Sequence, residues 1–269
     1  MGNPTTTPPS FTAQEVGFEA EPRVVQQPTY RVGQGGWYTL EELRSWERAP
    51  GPPRVGVQVG HLDNDQVPEE LSGLTRNGAG ATAVGYNERD TVAVIAEKVA
   101  ELLIADGIEV DLLPATVPPK YEADAFIAIH ADGNRNTNTR GFKIAGPRRD
   151  YSGKSEALVA ALTTAYTAVT DLPQDPQITR RMSAYYAFNW PRYEHAVHPF
   201  TPAAIVETGF LTNPTDRAFL LNEPEVAAFA IAEGVRAFLA QDVPTAPPPA
   251  SLTAPALPLS GTVECAPVR

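Results

Sequence analysis

Residues 203–214 read AAIVETGFLTNP. An apolar run, Ala203 to Val206, meets a carboxylate at Glu207 and breaks at Gly209. Carboxylates are seldom buried without a partner, so Glu207 ends its strand either in a surface ion pair or as part of a site. Two other strand ends bear on the choice. Val55–His61 (VGVQVGH) and Ala125–His130 (AFIAIH) are also apolar runs, and each stops at a histidine. Three strands that deliver His, His and Glu to one sheet edge match the way α/β enzymes build sites at the carboxyl ends of their strands.

Working outward, the pattern predicts one α/β domain over residues 54–241. It has a mostly parallel, mixed sheet flanked by helices on both faces. The strands are expected at 54–59, 108–113, 125–130, 141–145 and 203–207. A helix capped by Asn87 begins at Glu88, with the stripe Val92, Ile95, Ala96, Val99, Leu102, Leu103. Asp106-Gly107 ends it. Ser155–Val169 and Glu225–Ala240 read as further helices, the second with Pro224 just ahead of it. Residues 62–86 are too long for a simple connection and are a candidate lid. Residues 171–200 read as irregular, rich in Arg and aromatic side chains. Residues 1–53 form a Pro/Thr-rich lead-in whose WYTLEELRSWERA (37–49) suits one short helix docked on the domain, with Thr39 as cap. Residues 242–269 are a Pro/Ala-rich tail or linker.

Composition narrows the function. The chain has 269 residues, of which 27 are Pro, and a net charge of −11. Its pI is near 4.9. That balance excludes generic attraction to nucleic acid or anionic membrane. The single cysteine, Cys265, forms no intramolecular disulfide. No run approaches the ~18 apolar residues of a membrane span. The N-terminus shows no basic and apolar leader pattern.

Zinc accepts imidazole nitrogen and carboxylate oxygen, and its catalytic sites use three protein ligands. His61 and His130 follow hydrophobic strands directly, and Glu88 opens a helix, where a carboxylate is well tolerated. By spacing alone, metal ligation competes with hydrogen-bonded histidines and a helix-capping Glu. His195 and His198 in YEHAVHP are loop histidines, with His195 a candidate for substrate contact. Arg180, Arg181 and Arg192 share their segment with Tyr185, Tyr186 and Trp190, a mix suited to peptide carboxylates and sugar faces. Asp132 is a candidate partner for a ligand ring. Asp63 and Asp65 fit a turn better than a site.

His61 in VGVQVGHLDND, Glu88 in GYNERD, His130 in AFIAIHADGN and Glu207 in TPAAIVETGFLTNP occur in the order found in type 3 N-acetylmuramoyl-L-alanine amidases. The chain resembles that family of zinc-dependent peptidoglycan hydrolases over roughly residues 54–240, including GFKI and TGFLTNPTDRAFL. The resemblance implies one zinc ion on His61, Glu88 and His130, with Glu207 as the catalytic base and acid. Substrate contacts are expected from His195, Arg192 and Asp132. It further implies hydrolysis of the amide between the muramic acid lactyl group and L-alanine, by a monomer acting in an extracellular, periplasmic or cell-wall location. With an acidic chain, wall targeting then falls to a removed anchor or a wall-binding domain. A non-catalytic wall-binding module and a zinc peptidase or amidohydrolase with another amide substrate are the alternatives. The first is disfavoured by the intact four residues, the second by the lack of a local HxxE pair.

Overall fold

The computed structural model describes residues 37–241. The expectations for residues 1–36, the tail from 242 to 269 and Cys265 lie outside them.

The sheet has five strands: β1 (Arg54–Val59), β4 (Glu109–Leu113), β5 (Ala125–Asp132), β6 (Lys143–Ala145) and β7 (Ala203–Phe210), in the order β4-β1-β5-β7-β6. The first four in that order are parallel, and β6 pairs antiparallel with β7. Two short strands, β2 (Thr82–Ala83) and β3 (Tyr86–Asn87), form a separate hairpin. From β1 the chain moves outward to β4 and then returns to β5 on the other side. The β1/β5 boundary is therefore the switch point at which open α/β sheets bind ligands.

Strand alternation sorts the side chains. Val55, Val57 and Val59 of β1, Ile127 and Ile129 of β5, and Ala204 and Val206 of β7 pack with Val92, Ile95 and Val99 of α2 (Glu88–Ala105). The same core takes in Leu158 and Leu162 of α3 (Ser155–Val169) and Ile231 and Val235 of α6 (Pro224–Leu239). The intervening residues Phe126, Ala128, Ala203 and Ile205 face the opposite side. There the cover is different in kind. It comes from a 3-10 segment (Glu69–Asn77), α4 (Arg180–Ser183), a single 3-10 turn (Tyr186–Phe188) and aromatic loop residues. Both faces are covered, one by long helices and the other by short turns.

The helix expected within 37–49 is α1 (Leu40–Ser45), closed by a capping box between Thr39 and Glu42. Trp46 stacks on His198 at 5.1 Å and 20°, and the Arg48 guanidinium pairs with Asp124 just ahead of β5 (Nη2–Oδ2 2.7 Å). Leu43, Arg48 and Pro53 line one groove together with Asp124, Pro202 and Gln241, so this segment and the end of α6 meet at the amino ends of the strands. Two helices are additional to the expected set: the short α4, within the segment expected to be irregular, and a longer one after β7. α5 (Pro214–Asn222) starts with Asn213, whose side chain accepts from the Thr215 and Asp216 N–H groups.

Candidate metal centre and active site

At the carboxyl ends of β1 and β5 the chain brings His61, Glu88 and His130 together. Each offers one ligand atom, and the three atoms lie within 4.8 Å of one another. Glu88 Oε1 is 2.8 Å from His130 Nδ1 and 3.2 Å from His61 Nε2. The two imidazoles meet edge to face, 5.2 Å between centroids.

Local structure explains the convergence. His61 leaves β1 with φ 64, a left-handed backbone that side chains other than glycine rarely adopt. Gly60 precedes it, and a Cβ there would lie 2.7 Å from both the His130 ring and the Ile129 carbonyl oxygen. The amide of Gly60 donates to that carbonyl at 2.9 Å, which draws the β1 exit onto β5. Glu88 is the first residue of α2, where the partial positive charge of the helix start favours an anion. Its second oxygen accepts from the Ala81 N–H at 2.8 Å, and Oε1 accepts from the Ala131 N–H at 3.2 Å. Burial opposes the charge on Glu88, but hydrogen bonds from His130 and His61 outweigh it and hold the carboxyl well below the usual carboxylate range.

Glu207 stands directly beside His130 in the β5–β7 register. Its position follows from alternation, since Ala203, Ile205 and Glu207 share the face opposite the long helices. Burial pushes its carboxyl up to about 8, with the negative charges of Glu88 and Asp132 adding to the rise and His130 and Lys143 opposing it. Its Oε2 is shut off from solvent and has no hydrogen-bond partner among the described residues. A carboxyl group held in this condition is suited to exchanging protons near neutrality.

All four residues line a cleft of about 710 Å³. Residues of the segment considered as a lid, among them Leu74, Asn77 and Gly80 to Thr82, line the cleft. That wall of the cleft is tied down by Glu70, whose carboxylate accepts from the backbone N–H of Glu194 (3.1 Å) and of His195 (2.9 Å). Glu70 also lies 2.7 Å from His195 Nδ1.

The structure sorts the remaining candidates. Asp132 lines the cleft, but its carboxylate pairs with the buried Lys143 ammonium rather than with a ligand ring. His195 faces Glu70, and Arg192 lies over the Tyr193 ring at 5.1 Å. Neither lines the cleft among the described residues; Arg135 and Arg181 do. His198 is buried under α1. Sequence reasoning did not single out Asn64, whose amide lies 3.0 Å from His61 Nδ1 and donates to the Gly78 carbonyl at 2.8 Å. It also missed Lys143 and the buried Gln58. For Gln58 a signal existed, a polar residue inside VGVQV.

Comparison with known proteins identifies the family and the fold. Residues 55–237 match the family model described as N-acetylmuramoyl-L-alanine amidase. The fold is similar to that of N-acetylmuramoyl-L-alanine amidase AmiC2 of Nostoc punctiforme, with a TM-score of 0.53 at 21% identity over 72% of this chain and 100% of that one. It is also similar to an N-acetylmuramoyl-L-alanine amidase from Clostridium difficile 630, with a TM-score of 0.50 at 20% identity over 71% of this chain and 99% of that one. At these identities the likeness is one of fold. Among curated protein sequences there is no significant match. The family match spans well over half of the sequence, and the chain therefore belongs to the type 3 N-acetylmuramoyl-L-alanine amidase family.

Proposed function

We propose that this chain is a zinc-dependent hydrolase that cleaves the amide between the muramic acid lactyl group and the L-alanine of peptidoglycan stem peptides. The observation that carries the reading is the convergence of three ligand atoms from His61, Glu88 and His130 beside a half-buried carboxyl group, Glu207, in an open cleft. The donor set fits zinc in kind and number, two imidazoles and one carboxylate. When bound, zinc supplies Lewis acidity, which activates water and offsets charge developing on the amide oxygen.

The chain's own residues do the rest. Glu207 accepts a proton from the attacking water and returns it to the amine nitrogen as the C–N bond breaks. A carboxyl group raised toward neutral pH can do both, because neither its protonated nor its charged form is strongly favoured. Arg135 and Arg181 place positive charge along the cleft, suited to the carboxylates of a stem peptide. His61, Glu88, His130 and Glu207 converge within one chain, so the site needs no residue from a second subunit. No helix among the described residues is long and apolar enough to cross a membrane. The substrate places the enzyme at the cell wall, outside the cytoplasm.

The test is digestion of purified peptidoglycan, with mass spectrometry of the products, with and without a chelator. Stem peptides that begin at L-alanine, lost on chelation and restored by zinc, are the expected result. Intact glycan-linked peptides from zinc-loaded protein would refute the assignment of the bond.

A further inference from the structure

Gln58 is fully buried on β1, on the face away from the long helices. Its Nε2 donates to the Ala115 carbonyl at 2.9 Å and to the Tyr186 hydroxyl oxygen at 2.8 Å. A carbonyl only accepts, so the Gln58 amide has one permitted orientation, with Oε1 as its acceptor end. The Tyr185 hydroxyl donates to that Oε1 at 2.8 Å. A hydroxyl has one proton. With that proton given to Gln58, the Tyr185 oxygen can only accept, and its other neighbour is His130 Nε2 at 3.3 Å. Nε2 must then carry a proton, so Nδ1, 2.8 Å from Glu88 Oε1, is the ring nitrogen left to give up its proton to a metal ion. The Ala115 carbonyl thus sets the proton position on His130 through a relay of two side chains.

We propose that Tyr185 is a positioning residue for the metal centre: anchored by Gln58, it keeps the His130 proton on Nε2 and holds Nδ1 free as a ligand beside Glu88. The inference rests on the zinc reading given above. It assigns Tyr185 a role in holding metal, distinct from any contact with substrate. Ligand histidines in general bind best when their second nitrogen donates to a fixed acceptor, and loss of such a partner costs about 10–100-fold in metal affinity. His61 has no equivalent support, because its Nδ1 faces an amide nitrogen, Asn64 Nδ2.

The experiment compares the full-length wild type with Tyr185→Phe. The ring packs edge to face with His130 (5.4 Å), Tyr186 (4.9 Å) and Phe188 (5.6 Å), contacts that phenylalanine keeps. Zinc affinity is read by competition with a chromophoric chelator at fixed pH. The ring tautomer of His130 is read by nitrogen-15 NMR of chelator-treated protein. The expected result is zinc binding weakened about 10–100-fold in the variant, with His130 moving from the Nε2–H form in the wild type to a mixture. Unchanged affinity overturns the proposal, and so does a wild-type His130 ring that carries no proton on Nε2. Lost turnover with unchanged affinity also overturns it, since Tyr185 would then act on substrate. The wild-type spectrum decides the relay even if the variant does not fold. A wild type that takes up no zinc refutes the metal reading itself, whereas a variant that matches the wild type refutes the relay alone.

Discussion

Acid should loosen this protein through His198. The ring is 2% exposed, stacks on Trp46, and meets Tyr38 edge-on at 4.8 Å. Its Nδ1 accepts from the Phe200 N–H at 3.2 Å, a bond that requires an unprotonated Nδ1. Burial, helped by the nearby Lys120 charge, brings its pKa from 6.5 down to about 4. The unfolded chain therefore binds this proton first, and stability falls as pH drops from about 6.5 toward 4. At 1.36 kcal/mol per pH unit, the loss at pH 5 is about 2 kcal/mol, with a ceiling of ~3 kcal/mol below pH 4. For a domain of this size, about 2 kcal/mol lowers the melting temperature by ~4–8 °C. The assay is a set of thermal melts at pH 8 and pH 5 for the wild type and His198→Phe. Phenylalanine keeps the aromatic packing and strands the Phe200 N–H, an offset of ~1–3 kcal/mol that does not vary with pH. The wild type's advantage at pH 8 should shrink by about 2 kcal/mol at pH 5. An equal difference at both pH values would refute the reasoning.

Other consequences of the geometry can be measured directly. Glu207→Gln should keep its zinc and lose at least ~100-fold in turnover; near-native turnover would remove Glu207 from the chemistry. Gly80 has φ 79, and a Cβ there would collide with Glu88 Oε2 and lie 2.7 Å from His61 Cδ2. Gly80→Ala should therefore weaken zinc binding about tenfold or more by displacing two ligands, and unaltered affinity in a competition titration would contradict this. Glu70→Ala removes the acceptor shared by two backbone N–H groups and the His195 ring. It should cost ~1–3 kcal/mol, speed proteolysis within residues 62–86 and raise KM more than it lowers kcat. Unchanged proteolysis would show that the wall is held by Leu71 packing instead.

Much of the sheet, and the placing of the four central residues at element ends, could be read from local patterns, whereas their grouping as one site came from the family resemblance. An apolar run that ends in His or Glu puts that side chain at the strand's end, and Asn87 before a helical stripe places Glu88 in the first turn. Ser155–Val169 was predicted with its observed bounds, and β5 and β7 run two and three residues past the predicted ends. What escaped was set by distant partners. Glu70 and His195 are 125 residues apart in sequence, and the Gln58–Tyr185 pair 127, so no spacing announces either contact. The 3-10 segment at residues 69–77 offers only Leu71 and Leu74 as apolar side chains, too few to stand out in the sequence. Lys143 reads as an exposed lysine in a short strand, yet it is 4% exposed and paired with Asp132 and Asp175. The start of α5 was a different case. Asn213-Pro214 is an ordinary cap and first-turn pair, and the signal was overlooked after a strand that runs on to Phe210.

The groove shared by residues 43–53 and 238–241 lies at the amino ends of β5 and β7, opposite the end that carries His61, His130 and Glu207. Among the described residues, the segment ahead of β1 and the end of α6 thus lie together at the back of the catalytic body. Among the described residues, neither 43–53 nor 238–241 lines the cleft where a polymer strand would lie. The domain behaves as a tool whose handle and working edge are at opposite ends, so immobilisation through Gln241 should leave turnover on a soluble wall fragment intact.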